Sequence, residues 1–386
     1  MTIHSFLKIP RTFSKFCALY GADLRNFQMC NENVSFLFID EYSMVGCRLL
    51  AAIEQRCRDM KDNEELFGNL IIYLFGDVSQ LMCVGDTALF RSNFTNVSSV
   101  LVERGSIIIN SFEKAYILKS CHRYTDERYV KFLSRLSMGT CTKNDWSLLK
   151  NRYFSLLGHV EQTSFKNCIR VCATNDTAGE HNLLKLAGLH NPVAEIKAKN
   201  NCKIAMMTPD DQADGLSNVL FLCIGAKVML KRNINLSRGL VNSSVGYVID
   251  ILYDDGMGPP SLPKFILVDF EDVDLSGMNH NFVVFRPFLS SWYRNGKSCS
   301  RLQYPFSLAW ACTIHKTQSL TLSKMLLDMD SPEYQLGLTY VALSRVSKIE
   351  NLALMNCLTL DRLNSCRRST LFHERLNFLK WLEDLC

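Results

Sequence analysis

The 386 residues set a prior of two to three domains of about 150 residues each and argue against a single small module. Hydrophobic residues at 47% and charged residues at 21% fit a globular chain with a packed core and exclude a disordered or fibrous one. Forty-three Lys and Arg against thirty-eight Asp and Glu leave a net charge of +5, which permits a nucleic-acid partner without requiring one.

Taken in chain order, the apolar runs end in carboxylates or in Gly-Asp and alternate with stretches of helical period, the pattern of a parallel sheet with crossover helices. Residues 36–39 predict a short buried strand, 50–59 a helix, and 70–75 a second strand closed by Gly76. A strand at 169–173 precedes a helix over 177–186. Between about 235 and 302 the texture changes to short β-rich runs (246–253, 265–270, 281–285) separated by Gly, Pro and Asp, which predicts a small antiparallel barrel inserted in the α/β unit. The α/β pattern then resumes with a helix over 309–318, a strand over 320–328 and a helix over 334–343.

Longer-range features add limits. The longest apolar runs, 70–75 and 219–224, fall far below the roughly eighteen residues of a membrane-spanning helix, so no span is expected. The sixteen cysteines contain no C-x-x-C pair and no regular spacing, and read as reduced, mostly buried thiols of an intracellular protein. Lys8, Arg11 and Lys15 with no acid before Asp23 give the first residues a faint transit-peptide character. Pro10 breaks an amphipathic helix there, and the segment reads as domain sequence.

Two strand ends carry chemistry. In FLFIDEYSM an apolar strand ends in Asp40 and Glu41, the pair an NTPase uses to hold a hydrated magnesium ion and to polarise the attacking water. A strand ending at a polar turn would look the same. Thirty-seven residues after Asp40, IIYLFGDVSQL repeats the logic: buried strand, Gly76 for the tight turn, Asp77, and then Gln80, whose neutral amide can read a terminal phosphate. Farther on stand LKSCHRYTDERYVKFL with Arg123, RVCATNDTAGEHN with Thr174 and Asn175, SLAWACTIHKTQSLTL, and LTYVALSRVSKIENLAL with Arg345. A guanidinium fork at a nucleotide cleft can stabilise charge on a transferred phosphoryl group; each arginine alone also reads as a surface ion-pair residue.

Taken in order, these strings resemble the later motifs of PIF-type helicases, a branch of superfamily-one DNA helicases, and are similar above all to the helicase part of Helitron transposases. The resemblance runs from TIHSFLKIP at Thr2 to about Leu354, and AWACTIHKTQSLTL and YVALSRV are its most specific stretches. It implies an α/β fold of two RecA-like parallel-sheet lobes, the first incomplete, with a small β-barrel insert in the second. The lobes would be 1–117 for the first and 118–234 with 306–386 for the second, the insert being 235–305. The resemblance further implies ATP and Mg2+ as cofactors and a nucleotide role for Asp40, Glu41, Gln80, Arg123 and Arg345, with Asp40 holding the metal through water. Contact with single-stranded DNA, or its coupling to ATP, is implied for Thr174, Asn175, Thr313, His315, Lys316 and Gln318. The implied activity is ATP-driven 5′-to-3′ unwinding of duplex DNA, on single strands and DNA junctions, with no membrane partner and the oligomeric state open. Repair, recombination and telomere maintenance are associations of the family, which would place the protein in the nucleus or in mitochondria.

The sequence departs from the family's pattern in several places. No G-x-x-x-x-G-K-[ST] phosphate loop occurs in the 386 residues. The one Gly-Lys-Ser, at 296–298, has Ser291 where the first glycine should be and sits in the β-rich insert. FGDVSQL continues as MCV where the family has Pro-Pro, and Ser319 and Ser243 stand where it has glycine. These departures imply a fragment or amino-terminally truncated helicase, inactive as given. The alternative is a catalytically dead, single-stranded-DNA-binding remnant of a transposon or viral helicase.

Overall fold

The computed structural model describes every residue except Met1, Arg11, Thr12, Ser14, Lys15, 92–98, Asp272, 275–280, Asn295 and Ser331. Arg11 and Lys15 of the basic amino-terminal stretch therefore lie outside the described residues. The chain forms two compact units, one of Met1–Leu156, Thr317–Ser323 and Ser331–Cys386, the other of Leu157–Lys316 and Lys324–Asp330. The grouping sets 118–156 and 331–386 with the first strands, where the resemblance implies a second lobe for them.

In the first unit, β1 (Phe36–Ile39) and β2 (Ile71–Leu74) pair in parallel, Phe36 opposite Ile71 and Ile39 opposite Leu74. Between them runs α1 (Cys47–Lys61), the crossover that a parallel pair demands. Its Leu49, Leu50, Ala51, Ala52, Ile53, Cys57 and Met60 are buried, so nearly the whole first half of the helix faces the core. The helix begins after Gly46, which has no side chain to cap it, and Asp86 supplies the cap from a distance: Arg48 N and Leu49 N donate to its two oxygens at 3.2 and 3.1 Å. The fully buried Glu54 is ionically satisfied by Arg58 and Arg104, each at 2.5 Å. α2 (Val100–Ile109) and α3 (Glu127–Ser137) follow; α3 is capped by Asp126 and buries Tyr129, Phe132, Leu133 and Leu136. One face of β1 (Leu37, Ile39) enters the core, while the other carries Phe36 and Phe38, with Phe38 stacked on Tyr73 of β2 at 5.1 Å.

In the second unit, β3 (Ile169–Cys172) lies between two parallel partners, β14 (Ala311–Thr313) and β15 (Met325–Asp328). α4 (Asn175–Ala187) follows β3, capped by the Thr174 hydroxyl on Thr177 N at 3.2 Å. Asn182 of α4 mimics a strand: its amide donates to Ala311 O at 2.9 Å and accepts from Ala311 N at 2.8 Å. That places β14 against the helix. Antiparallel strands fill the intervening sequence, in a five-stranded sheet ordered β10 (Val283–Phe285), β9 (Phe265–Phe270), β8 (Val245–Leu252), β7 (Lys227–Leu230), β13 (Phe306–Leu308). A second, three-stranded sheet is ordered β11 (Phe288–Arg294), β12 (Lys297–Gln303), β5 (Lys199–Asn200), and β4 (Ala194–Lys197) pairs with β6 (Val219–Leu222). The β region thus extends on both sides of 235–305, since β7 and β13 complete the sheet over a core of Phe270, Phe285, Tyr304 and Phe306.

After β15 the chain returns to the first unit as α5 (Leu338–Leu343) and α6 (Thr370–Asp384). Most predicted elements lie within a few residues of the observed ones. The helix expected over 309–318 does not form: Ala311–Thr313 is a strand, followed by one tight turn of 3-10 helix, Ile314–Thr317. Pairing with β3 and the Asn182 bonds outweigh the local helical period. Among the described residues no helix is long and apolar enough to cross a membrane. All sixteen cysteines are free thiols, but only seven are buried and five are exposed, so "mostly buried" overstates their burial. Gly296 forms the turn between β11 and β12, with Arg294 opposite Lys297, so the lone Gly-Lys-Ser is a hairpin end with no helix to follow.

Candidate functional site

The end of β1 is locked to the end of β2 by main-chain bonds, Phe75 N to Ile39 O at 2.7 Å and Tyr42 N to Phe75 O at 2.8 Å. Between those anchors Glu41 takes the left-handed conformation, φ 56° and ψ 49°. This is costly for a non-glycine residue and is held by the surrounding bonds. Asp40 is exposed and accepts Glu41 N at 2.9 Å. The Glu41 carboxylate accepts from Ser319 Oγ at 2.6 Å and from Gln318 Nε2 at 3.5 Å. Ser319 also has a positive φ, 66°.

The loop after β2 is organised by Asp77. One oxygen accepts Ser79 N at 2.8 Å, and the other accepts the Tyr340 hydroxyl at 2.9 Å. Burial pushes the Tyr340 and Tyr42 phenols upward, and the Asp77 charge adds to the shift in both. Gln80 N donates to Asp77 O at 3.1 Å, and the buried Gln80 Oε1 has no hydrogen-bond partner among the described residues, an acceptor that a ligand or water reaching it would satisfy.

Arg123 and Arg345 come together in the same unit. Arg345 is 1% exposed, and each of its nitrogens has a protein acceptor: Nε on Val341 O at 2.9 Å, Nη1 on Thr317 O and Leu320 O at 3.3 and 3.4 Å, and Nη2 on Ser344 Oγ at 2.6 Å. Burial lowers its pKa from the usual arginine range, and the neighbouring Arg123 lowers it further. Arg123 is exposed. The adjacent Tyr124 and Tyr129 donate to the Ser344 and Leu343 carbonyls at the end of α5.

Residues expected at single-stranded DNA divide. Thr174 and Asn175 leave the carboxyl end of β3, and Thr313, His315 and Lys316 leave the carboxyl end of its neighbour β14. That is the end of a parallel sheet where ligands gather. Asn175 and Lys316 are exposed, His315 is half-buried, and Thr313 is buried. The Thr174 hydroxyl is engaged as a helix cap. Lys231 adds to the positive charge near Lys316; its pKa is lowered by burial, with Lys316 contributing. Gln318, expected with these residues, instead meets Glu41 in the first unit.

The sequence reading missed Tyr340, Tyr124 and the hydroxyl of Ser319 as members of the Asp77, arginine and Glu41 groups. Tyr340 lies inside the quoted YVALSRV string and could have been singled out there. Ser319 was marked as a departure, but nothing local pointed to Glu41.

A pH response follows from α4. Burial first, then Arg170 and Lys185, hold His181 down to about 4, and Arg170 Nη1 lies 3.0 Å from its Nδ1. A histidine whose folded pKa lies below its unfolded value of about 6.5 binds protons better when unfolded. The stability linked to His181 is therefore complete above about pH 6.5 and is lost as pH falls toward 4. Urea titrations from pH 7.5 to 4.5 should show this decline, and His181→Gln should flatten it; an equally steep decline in the variant would assign the pH response to other groups.

Comparison with known proteins agrees with the motifs. Residues 1–145 match the PIF1-like helicase family and 212–251 match the 2B domain of the DNA helicase Pif1. The ATP-dependent DNA helicase PIF1 of Danio rerio is 29% identical over 334 residues, covering 86% of this chain and 47% of that protein. The chain spans about half the length of the curated relatives it matches. The crystal structure of the Candida albicans Pif1 helicase superposes with a TM-score of 0.71 at 23% identity, over 100% of this chain and 85% of that one. The Bacteroides Pif1 helicase in complex with ADP-AlF3 and single-stranded DNA gives 0.66 at 21% identity, over 93% and 80%. These likenesses establish an α/β fold with RecA-like parallel-sheet lobes. Read with the ordered motifs, the two family matches make the chain similar to PIF1-like helicases over residues 1–145 and to the Pif1 2B domain over 212–251.

Proposed function

We propose that this chain carries the water-activating, phosphate-sensing and single-strand-tracking residues of an ATP-dependent DNA helicase that steps 5′ to 3′ and acts on single strands and junctions in the nucleus or mitochondria. The observation that carries the reading is the gathering of Asp40, Glu41, the Asp77–Gln80 loop, Arg123 and Arg345 within one compact unit. Asp40, an exposed carboxylate at a strand end, fits the outer shell of a magnesium ion. No cluster of three or more His, Cys, Asp or Glu able to hold a metal occurs among the described residues. This suits a metal kept mainly by water and phosphate rather than by a protein cage. When bound, the metal would neutralise charge on the phosphates.

In this reading Glu41 takes a proton from water, and the open Gln80 amide orients that water. Arg123 is the exposed guanidinium able to meet phosphoryl charge, and Arg345 holds the segment that carries Gln318 and Ser319. The exposed Lys316 and Asn175 at the carboxyl ends of β14 and β3 offer sequence-blind contacts to a nucleic-acid backbone. Hydrolysis by these 386 residues alone should stay below about one turnover per second, since no phosphate loop is among them. Binding of a fluorescent single-stranded oligonucleotide should nonetheless be detectable at about 50 mM salt and weaken steeply by about 200 mM. Lys316→Ala should reduce the salt slope by about one. Absence of binding at low salt, or a slope unmoved by the substitution, would count against the proposed strand-tracking surface. Faster hydrolysis would require phosphate contacts from other residues.

A further inference from the structure

In the second unit the chain places two thiols side by side outside every group described above. β5 and β12 pair antiparallel, with Lys199 opposite Leu302 and Asn200 opposite Arg301. The pairing continues one step past β5: Asn201 N donates to Ser300 O at 3.1 Å, and Ser300 N donates back to Asn201 Oδ1 at 2.8 Å. The next pair in register is Cys202 and Cys299, with sulfurs 3.8 Å apart across 97 residues of sequence. With the two sulfurs already in contact at 3.8 Å, closure to the roughly 2.05 Å of a disulfide is geometrically accessible.

The two sulfurs differ in environment. Cys299 is fully buried on β12, whereas Cys202 is half-buried at the start of the short helix Lys203–Met206. Main-chain N–H groups, that of Ala205 first, lower the Cys202 thiol from its ordinary range, while burial raises Cys299. One thiol is thus accessible and inclined to ionise, and its neighbour is sheltered and held within reach, an arrangement suited to an attacking and a resolving cysteine.

We propose that Cys202 and Cys299 are a redox modification site, converted by a hydroperoxide to an intrachain disulfide and restored by a thiol reductant. The Cys202 thiolate attacks a peroxide oxygen, the O–O bond breaks, and the products from hydrogen peroxide are a sulfenic acid and one water once a proton is taken up. The Cys299 sulfur then attacks the sulfenyl sulfur. The S–S bond forms as the S–O bond breaks, and the departing hydroxide leaves as water with the Cys299 proton. Overall two thiols lose two electrons, and one peroxide becomes two waters. The bond staples β12 to the turn that Arg301, two residues on, already holds through Ala205 O and Thr208 O at 2.7 and 2.8 Å. It would fix the two-residue edge strand β5 in place.

The test treats the full reduced chain with a stoichiometric amount of hydrogen peroxide, followed by peptide mapping without reductant and by thermal melting. The expected result is a Cys202–Cys299 cross-linked peptide that disappears with dithiothreitol, and a melting temperature raised by about 5 °C or more, as closure of so long a loop implies. C202S and C299S should each abolish both the cross-link and the shift. If those variants fail to fold, the map of the parent chain decides by itself. Cys202 and Cys299 still free after the exposed Cys17, Cys30, Cys121, Cys357 and Cys386 have reacted, a Cys202 bond to any other cysteine, or a sulfinic Cys202 with no cross-link would each overturn the proposal.

Discussion

Replacing Arg345 with methionine should destabilise the first unit by about 3 kcal/mol in urea unfolding. The side chain is 1% exposed and donates to the Val341, Thr317 and Leu320 carbonyls and to the Ser344 hydroxyl. Two effects oppose each other. Methionine removes a charge whose burial is unfavourable, as its lowered pKa records, and that alone would stabilise. It also leaves buried carbonyls without donors, at about 1 to 3 kcal/mol each, and the larger number of lost bonds decides the sign. Arg345→Lys should fall between, because one ammonium cannot reach acceptors on both the 317–320 segment and α5. The loosened segment carries Gln318 and Ser319, so Glu41 should lose its partners in the same variants. A methionine variant within about 0.5 kcal/mol of the parent, the scale of an ordinary surface change, would show that Arg345 is no clamp.

Gly337→Ala should cost about 2 to 4 kcal/mol by the same measurement and displace the loop that presents Gln80. Gly337 has φ +90°, and a β-carbon built on it would lie 2.7 Å from Ser79 O and 2.9 Å from Gln80 O. Both neighbours are backbone atoms, so no side chain can swing away. The backbone strain adds to the overlap. A crystal structure of the variant should show the Asp77 to Tyr340 hydrogen bond, 2.9 Å in the parent, lengthened or broken. A variant as stable as the parent, with that bond intact, would remove Gly337 from the support of the site.

Much of the framework was legible from local sequence. An unbroken apolar run between turn signals reads as a strand, so 36–39 and 265–270 coincide with β1 and β9, and 169–173 and 177–186 fall within two residues of β3 and α4; the burial expected for 36–39 holds only for Leu37 and Ile39, since Phe36 and Phe38 are exposed. The acids after β1 and the Gly-Asp after β2 were legible because a polar residue closes an apolar run, whereas the partners of Glu41 and Asp77 were not. Motif order carried the resemblance to PIF-type helicases, and the alternation of apolar runs with helical stretches carried the parallel-sheet fold.

Tertiary structure alone decided the rest, because the deciding partners stand far away along the chain. Residues 309–318 have a helical period, yet Ala311–Thr313 is a strand because β3 and Asn182 offer backbone partners that no local pattern announces. Gln318 lies in a string associated with DNA contact, yet its amide meets Glu41, 277 residues earlier. Tyr340 meets Asp77 across 263 residues, and Cys202 meets Cys299 only because β5 and β12 choose one register. Periodicity encodes which face of an element is buried; it carries no information about which distant side chain will lie opposite, since that depends on how elements pack.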